Sequence, residues 1–172
     1  MVAARRFAWL LVLLFAGLAS AHGGEPAAKA GEAAATGPLP RFASLGSERI
    51  NARTGPGNQY PIDWVFVRRG LPVEITQEFE LWRKVRDMEG AEGWVHKSLL
   101  SGRRTALIRG PQTRELRREA DEHTPTVARA EPGVIARLLK CRGTWCQVSV
   151  ADRKGWIGKT QLWGVYPDEQ LD

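Results

Sequence analysis

The chain has 172 residues, 43% of them hydrophobic and 26% charged, with 25 Lys and Arg against 19 Asp and Glu for a net charge of +6. This balance suits one ordinary globular domain or two small ones, and it excludes collagen-like, coiled-coil and wholly disordered chains. Two cysteines and three histidines are too few for a disulfide-dense scaffold or a four-cysteine zinc site.

The amino end reads as an address. Arg5 and Arg6 precede an apolar run from Phe7 to Leu18, and Ala19, Ser20 and Ala21 then supply the small residues that a signal peptidase accepts. Residues 1–21 are therefore predicted to be a signal peptide. The run is too short to cross about 30 Å of hydrocarbon as a mature helix. The mature chain is expected to be periplasmic or secreted, in an oxidising compartment, with no integral membrane segment. Removal of 21 from 172 residues leaves 151, with 23 Lys and Arg against 19 acids, a net charge of +4. Such a charge favours anionic neighbours such as wall carboxylates or lipid headgroups. No basic helix or aromatic RNA motif accompanies it, so nucleic acid is not an expected partner. Residues 22–41 are rich in Ala, Gly, Glu and Pro, and read as a disordered tether.

The body repeats itself. Gly70 and Gly133, Trp82 and Trp145, and Val85 and Val148 each stand 63 apart. The offset becomes 62 for Gly93 and Gly155, Trp94 and Trp156, Lys97 and Lys159, and Leu100 and Leu162. It is 64 for Arg53 and Arg117. Slips of one residue between held anchors are the signature of a duplicated small domain. In the first copy, strands are predicted over 71–76, 81–86 and 93–96, with a turn between Met88 and Gly93 and a 3₁₀ turn at 98–100. The second copy repeats this order over 134–140, 145–150 and 156–157, with a turn at 151–154. No long stripe of helical period occurs. The fold class is therefore all-β, with each copy a small barrel that hides its short strand edges by closure.

Between these anchors lies a more specific segment: Asn51, Arg53, Gly55, Pro56, Gly57, Tyr60 and Pro61. Pro56 presets the first turn position, and Gly57 suits positive φ at the next, which predicts a type II turn. Together with Gly70, the run Leu81 to Val85 and the Gly93-Trp94-Val95 strand, this segment resembles bacterial SH3-like (SH3b) domains. The chain as a whole resembles exported two-copy SH3-like proteins. The resemblance implies an SH3-like domain 1 over 42–104, a degenerate domain 2 over 105–167 and a tail over 168–172. Ala52 stands where the family usually carries a larger aliphatic residue. Arg117 to Asp121 replace the Gly-Pro-Gly turn in copy two.

The resemblance further implies a targeting or interaction module rather than an enzyme. The expected partner is a peptidoglycan peptide or an envelope protein; the alternative is a scaffolding protein with both barrels packed as one unit. Tyr60, Trp64, Arg53, Trp82 and Trp94 are the ligand-binding candidates. Tyr60 and Trp64 are not duplicated in copy two, nor Trp163 in copy one, so these aromatics suit either a binding surface or packing between barrels. The four duplicated tryptophans suit core packing, and Arg53 and Arg117 suit anchoring of their own turns. Cys141 and Cys146 fall on adjoining strands of one predicted hairpin and are expected to form a disulfide. A metal half-site there lacks its other half, and a catalytic thiol lacks a suitably spaced histidine. No acid pair is placed for general acid–base work, and no cofactor or metal is expected.

Overall fold

The computed structural model describes residues 37–172. The predicted leader over 1–21 and residues 22–36 of the predicted tether lie outside the described residues; Arg41, the last residue assigned to that tether, instead lies in the first strand, opposite Ile75. The first half comprises β1 (Arg41–Leu45), β2 (Ile50–Arg53), β3 (Ile62–Phe66), β4 (Pro72–Phe79), β5 (Trp82–Arg86), β6 (Glu92–His96), a 3₁₀ turn (Lys97–Leu99) and β7 (Leu100–Ser101). The second comprises β8 (Thr105–Ile108), β9 (Arg114–Arg117), β10 (Thr126–Ala130), β11 (Ile135–Arg142), β12 (Trp145–Val150), β13 (Arg153–Gly158), a 3₁₀ turn (Lys159–Gln161) and β14 (Leu162–Trp163). The protein is all-β, as expected.

Two antiparallel seven-stranded sheets result. Their orders are β3-β2-β6-β5-β4-β1-β7 and β10-β9-β13-β12-β11-β8-β14, so the second repeats the first strand for strand. Even the irregularities recur. The β4–β5 ladder slips between Ile75 and Gln77, and β11–β12 slips between Leu138 and Lys140. All seven strands of each sheet send side chains into a single core, which requires the sheet to roll over on itself. The ladders leave β3 and β7, and β10 and β14, as the sheet ends.

Alternation explains the local register. In β5 and β6, Val85, Gly93 and Val95 point into the core while Trp82, Lys84, Trp94 and His96 point away. The Gly-Trp pair of each copy has a steric cause. A Cβ on Gly93 would stand 2.8 Å from the Cβ of Ala52, and one on Gly155 would stand 2.6 Å from that of Leu116. These strands cross too closely for any other residue.

Alternation fails in β1, β4 and β8, where runs of four consecutive residues are buried. The reason is a seam: each strand has the core on one face and the other domain on the opposite face. The Trp163 ring meets Phe42 edge-on at 5.2 Å, and its Nε1 donates to the Pro72 carbonyl at 3.3 Å. Tyr166 also stacks near Phe42, at 4.8 Å, and its hydroxyl donates to Glu74 at 2.8 Å. The Ser44 and Thr105 hydroxyls lie 2.6 Å apart, and Thr105 donates onward to the Gly70 carbonyl. Gly164 sits at φ +113, where a Cβ would approach the Thr105 carbonyl to 2.6 Å and Pro72 to 3.0 Å. Trp163, one of the unduplicated aromatics, is thus a packing residue between the domains.

The last residues are held as well. Arg104 pairs with Glu169, and the Lys159 ammonium donates to the Pro167 and Glu169 carbonyls at 2.9 and 2.6 Å. Leu171 forms a β-bridge with Cys141. Cys141 itself stands directly opposite Cys146 in the β11–β12 ladder and is joined to it by a disulfide, with the Cα atoms 4.1 Å apart.

Burial first, and then the bond to the Glu74 carboxylate, hold the Tyr166 hydroxyl far above the ordinary phenol value. Since the folded value is the higher one, the stability linked to this proton is complete below pH ~10 and is lost as pH rises beyond it. Tyr166 should therefore form no tyrosinate at pH ~10 while the protein is folded, and its tyrosinate absorbance should appear only once the chain unfolds. Tyr166→Phe should lower stability by about 1–3 kcal/mol in chemical unfolding, having removed a donor from a buried carboxylate. Separately, the unfolded, unreduced chain should show no free thiol, and Cys141→Ser with Cys146→Ser should cost about 2 kcal/mol for this short loop.

Candidate functional site

Three strands build a cleft on the outward face of the first sheet. β2 and the turn after it supply Asn51, Arg53 and Asn58, β5 supplies Trp82 and β6 supplies His96. Arg49 and Leu99 complete a space of about 320 Å³. Register explains the convergence: Arg53 lies opposite Trp94, and Trp82 opposite His96, so their side chains share one face.

The turn that shapes one wall differs from expectation. Gly57 is absent from the positive-φ glycines, so residues 55–58 do not form the predicted type II turn. Instead Tyr60 N–H donates to the Gly57 carbonyl at 3.2 Å, and Gly57 N–H to the Gly55 carbonyl at 3.0 Å. Gly55 is required for space rather than for backbone angle, whereas at Gly57 the nearest atoms are the movable end of the Gln59 side chain. A Cβ on Gly55 would fall 2.4 Å from the Tyr60 ring, and one on Gly57 would fall 2.3 Å from Gln59 Oε1. Arg53 ties this turn down by donating to the Tyr60 carbonyl at 2.7 Å.

The five ligand-binding candidates are therefore placed differently. Arg53 and Trp82 line the cleft. Trp94 sits beside it on the same sheet face. Tyr60 is exposed and covers Gly55. Trp64 lies on the core side: it is paired with Ala52, packs against the first core and meets Phe66 edge-on at 5.9 Å. Sequence reasoning missed Arg49, Asn51, Asn58 and His96 as cleft residues. Only the alternation of β2 and β6 carried a signal for two of them, since Asn51 and His96 follow the same parity as Arg53 and Trp94.

Electrostatically the cleft is one-sided. Its lining holds two guanidinium groups, two carboxamides and an imidazole, with no carboxylate or thiol. The His96 ring meets Trp82 edge-on at 5.5 Å, and its Nδ1 accepts from the Ser98 backbone N–H at 3.3 Å, which leaves Nε2 as the donor. Such a lining can hold a carboxylate and cover an aliphatic or peptide group with an indole. It offers no carboxylate base and no nucleophile.

The second domain repeats the cleft position for position. Thr113, Glu115, Arg117, Glu122, Trp145, Gly158 and Gln161 occupy the places of Arg49, Asn51, Arg53, Asn58, Trp82, His96 and Leu99, around a larger space of about 760 Å³. It keeps two arginines, Arg114 and Arg117, and a histidine, His123, but adds carboxylates. Glu115, Asp121 and Glu122 now line it. Arg117 is occupied by Glu115 at 2.6 Å and by the Thr124 carbonyl at 3.1 Å, the same turn contact that Arg53 makes. Thr126, and then Arg117, hold the Glu115 carboxyl below its ordinary value. Among the described residues there is no cluster of three or more metal-ligating side chains. No described helix is long and apolar enough to cross a membrane.

A family profile described as Bacterial SH3 domain matches residues 46–102 and again 110–164. No curated protein sequence matches the chain. Solved structures similar to it include NlpC1 and NlpC2 from Trichomonas vaginalis, each 12% identical over 74% of this chain, with TM-scores of 0.32 and 0.34. The chain spans about half of their length, 46% and 49%.

Because Arg53 carries the turn as well as the cleft charge, Arg53→Ala should cost about 1 kcal/mol and make residues 55–61 more sensitive to limited proteolysis. Arg53→Lys keeps the charge without the planar fork and should restore the turn only in part.

Proposed function

The chain belongs to the bacterial SH3 domain family, whose members are typically cell-wall binding modules, and from that premise we propose that it is an exported, non-catalytic module recognising peptidoglycan peptide through the cleft of its first domain. Arg49 and Arg53 would take the carboxylates of a stem peptide, Asn51 and Asn58 its amide groups, and Trp82 its aliphatic face. Trp94 and Tyr60 would extend the surface on either side, with Trp64 supporting the wall from the core. The observation that carries this reading is a carboxylate-free lining that holds two guanidinium groups, in a cleft whose counterpart in domain 2 has gained three carboxylates. The signal-peptide reading of residues 1–21 supports a location in the periplasm or at the cell exterior.

A second reading has an observation of its own. The seam joins the two domains through aromatic packing and buried hydrogen bonds, as suits a rigid scaffold that an envelope protein would grip. The two readings separate in one assay, co-sedimentation with purified peptidoglycan sacculi. Wall recognition predicts that the protein sediments with them, that Trp82→Ala or Arg49→Ala weakens this roughly tenfold, and that Trp145→Ala does not. Absence of co-sedimentation, or equal effects of Trp82→Ala and Trp145→Ala, would favour the scaffold.

A further inference from the structure

A second cleft lies where the two domains meet, away from the wall-peptide cleft and with a space of about 660 Å³. Three arginines from three different elements line it: Arg69 from the loop before β4, Arg103 from the link between the sheets, and Arg137 from β11. Among the described residues, none of the three side chains has an ion-pair or hydrogen-bond partner. One carboxylate, Asp152, shares the lining and pairs with none of them. Three guanidinium charges against one carboxylate leave the lining with a net excess of two positive charges, and no ion pair among the described residues offsets it.

The backbone beneath two of them is fixed by buried hydroxyls. Ser44 Oγ donates to the Arg103 carbonyl at 2.7 Å and meets Thr105 Oγ1, which in turn donates to the carbonyl of Gly70, the residue after Arg69. Ser101 Oγ accepts the Arg103 backbone N–H at 3.2 Å, which leaves its own proton to donate to a ligand. The cleft thus combines a rigid base, the Ser101 hydroxyl as a donor and three planar guanidinium groups. Guanidinium forks match the oxygens of phosphate bidentately. A single carboxylate would leave half of this excess uncompensated, whereas a phosphate-bearing group with two negative charges would balance it.

We propose that the inter-domain cleft is a binding site for a multiply charged, phosphate-bearing anion, distinct from the peptide cleft and present only because the two domains are packed together. Free phosphates and lipid headgroups share this chemistry. The test uses the mature protein titrated calorimetrically with inorganic pyrophosphate, and floated with vesicles containing phosphatidic acid, whose phosphomonoester headgroup can carry two negative charges. Saturable binding is expected in at least one arm, weakened at least ~fivefold by Arg137→Ala or Arg69→Ala and by added salt. Both arginines are exposed, so the variants should keep the wild-type unfolding midpoint. Trp82→Ala should leave anion binding unchanged, which separates this site from the wall reading. Pyrophosphate binding alone assigns a soluble phosphate; vesicle flotation lost with Arg137→Ala assigns a headgroup. No saturable binding in either arm, or binding that survives both arginine substitutions, would overturn the proposal.

Discussion

Glu74 is a carboxylate with almost no contact with water, 5% exposed, in a strand covered on both faces. A buried charge is tolerated only when its partners are in place. Arg86 of the same sheet supplies one, donating through Nε at 3.0 Å, and Tyr166 of the other domain supplies the second. The same carboxylate therefore satisfies its own strand and holds the second domain against the first. It also raises the affinity of the Arg86 guanidinium for its proton. Tyr166, Trp163 and Gly164 follow one another at the end of the second sheet, so a short stretch of chain closes the seam. Without it, β1, β4 and β8 would each expose a face built to be covered.

A body fixed in this way can carry different surfaces on identical frames. The two sheets share strand order, bulges and the turn-anchoring arginine, yet the cleft residues at matched positions differ in kind. Asn51 and Asn58 face Glu115 and Glu122 across the repeat, and His96 faces Gly158. Repetition conserves what the fold needs: a glycine where strands cross, an aliphatic core and a guanidinium holding each turn. The free positions around Trp82 and Trp145 are where the copies depart from each other. The cationic character of the first cleft is thus a property of that copy, not of the fold.

Much of this was legible in the sequence, for a physical reason. Strands with one wet face alternate, so β5, β6, β12 and β13 could be read from their parity, and the offsets of 62 to 64 exposed the duplication. The cysteine pair was readable because two strands of one hairpin bring such residues opposite. What stayed hidden depends on contacts between distant segments. Alternation is lost in β4 because Tyr166 and Trp163 cover its second face, and no local pattern announces this. Gly57 carries a turn signature, yet it lacks the positive φ that a type II turn needs. The unduplicated aromatics looked alike, yet Tyr60 is exposed, Trp64 faces the core and Trp163 fills the seam. Arg49 and Asn58 belong to the cleft through folding of the chain around them, which their immediate neighbours do not encode.

The central claim is that a rigid, doubled strand-built body recognises wall peptide with one cationic face. Hydrogen–deuterium exchange of the mature protein, with and without soluble muropeptides, tests it most directly. The account predicts slowed exchange confined to residues 49–60 and to the strands bearing Trp82 and His96, with the second domain's equivalent segments unchanged. Unaltered exchange throughout, or protection centred on Trp145 and residues 113–122, would contradict it.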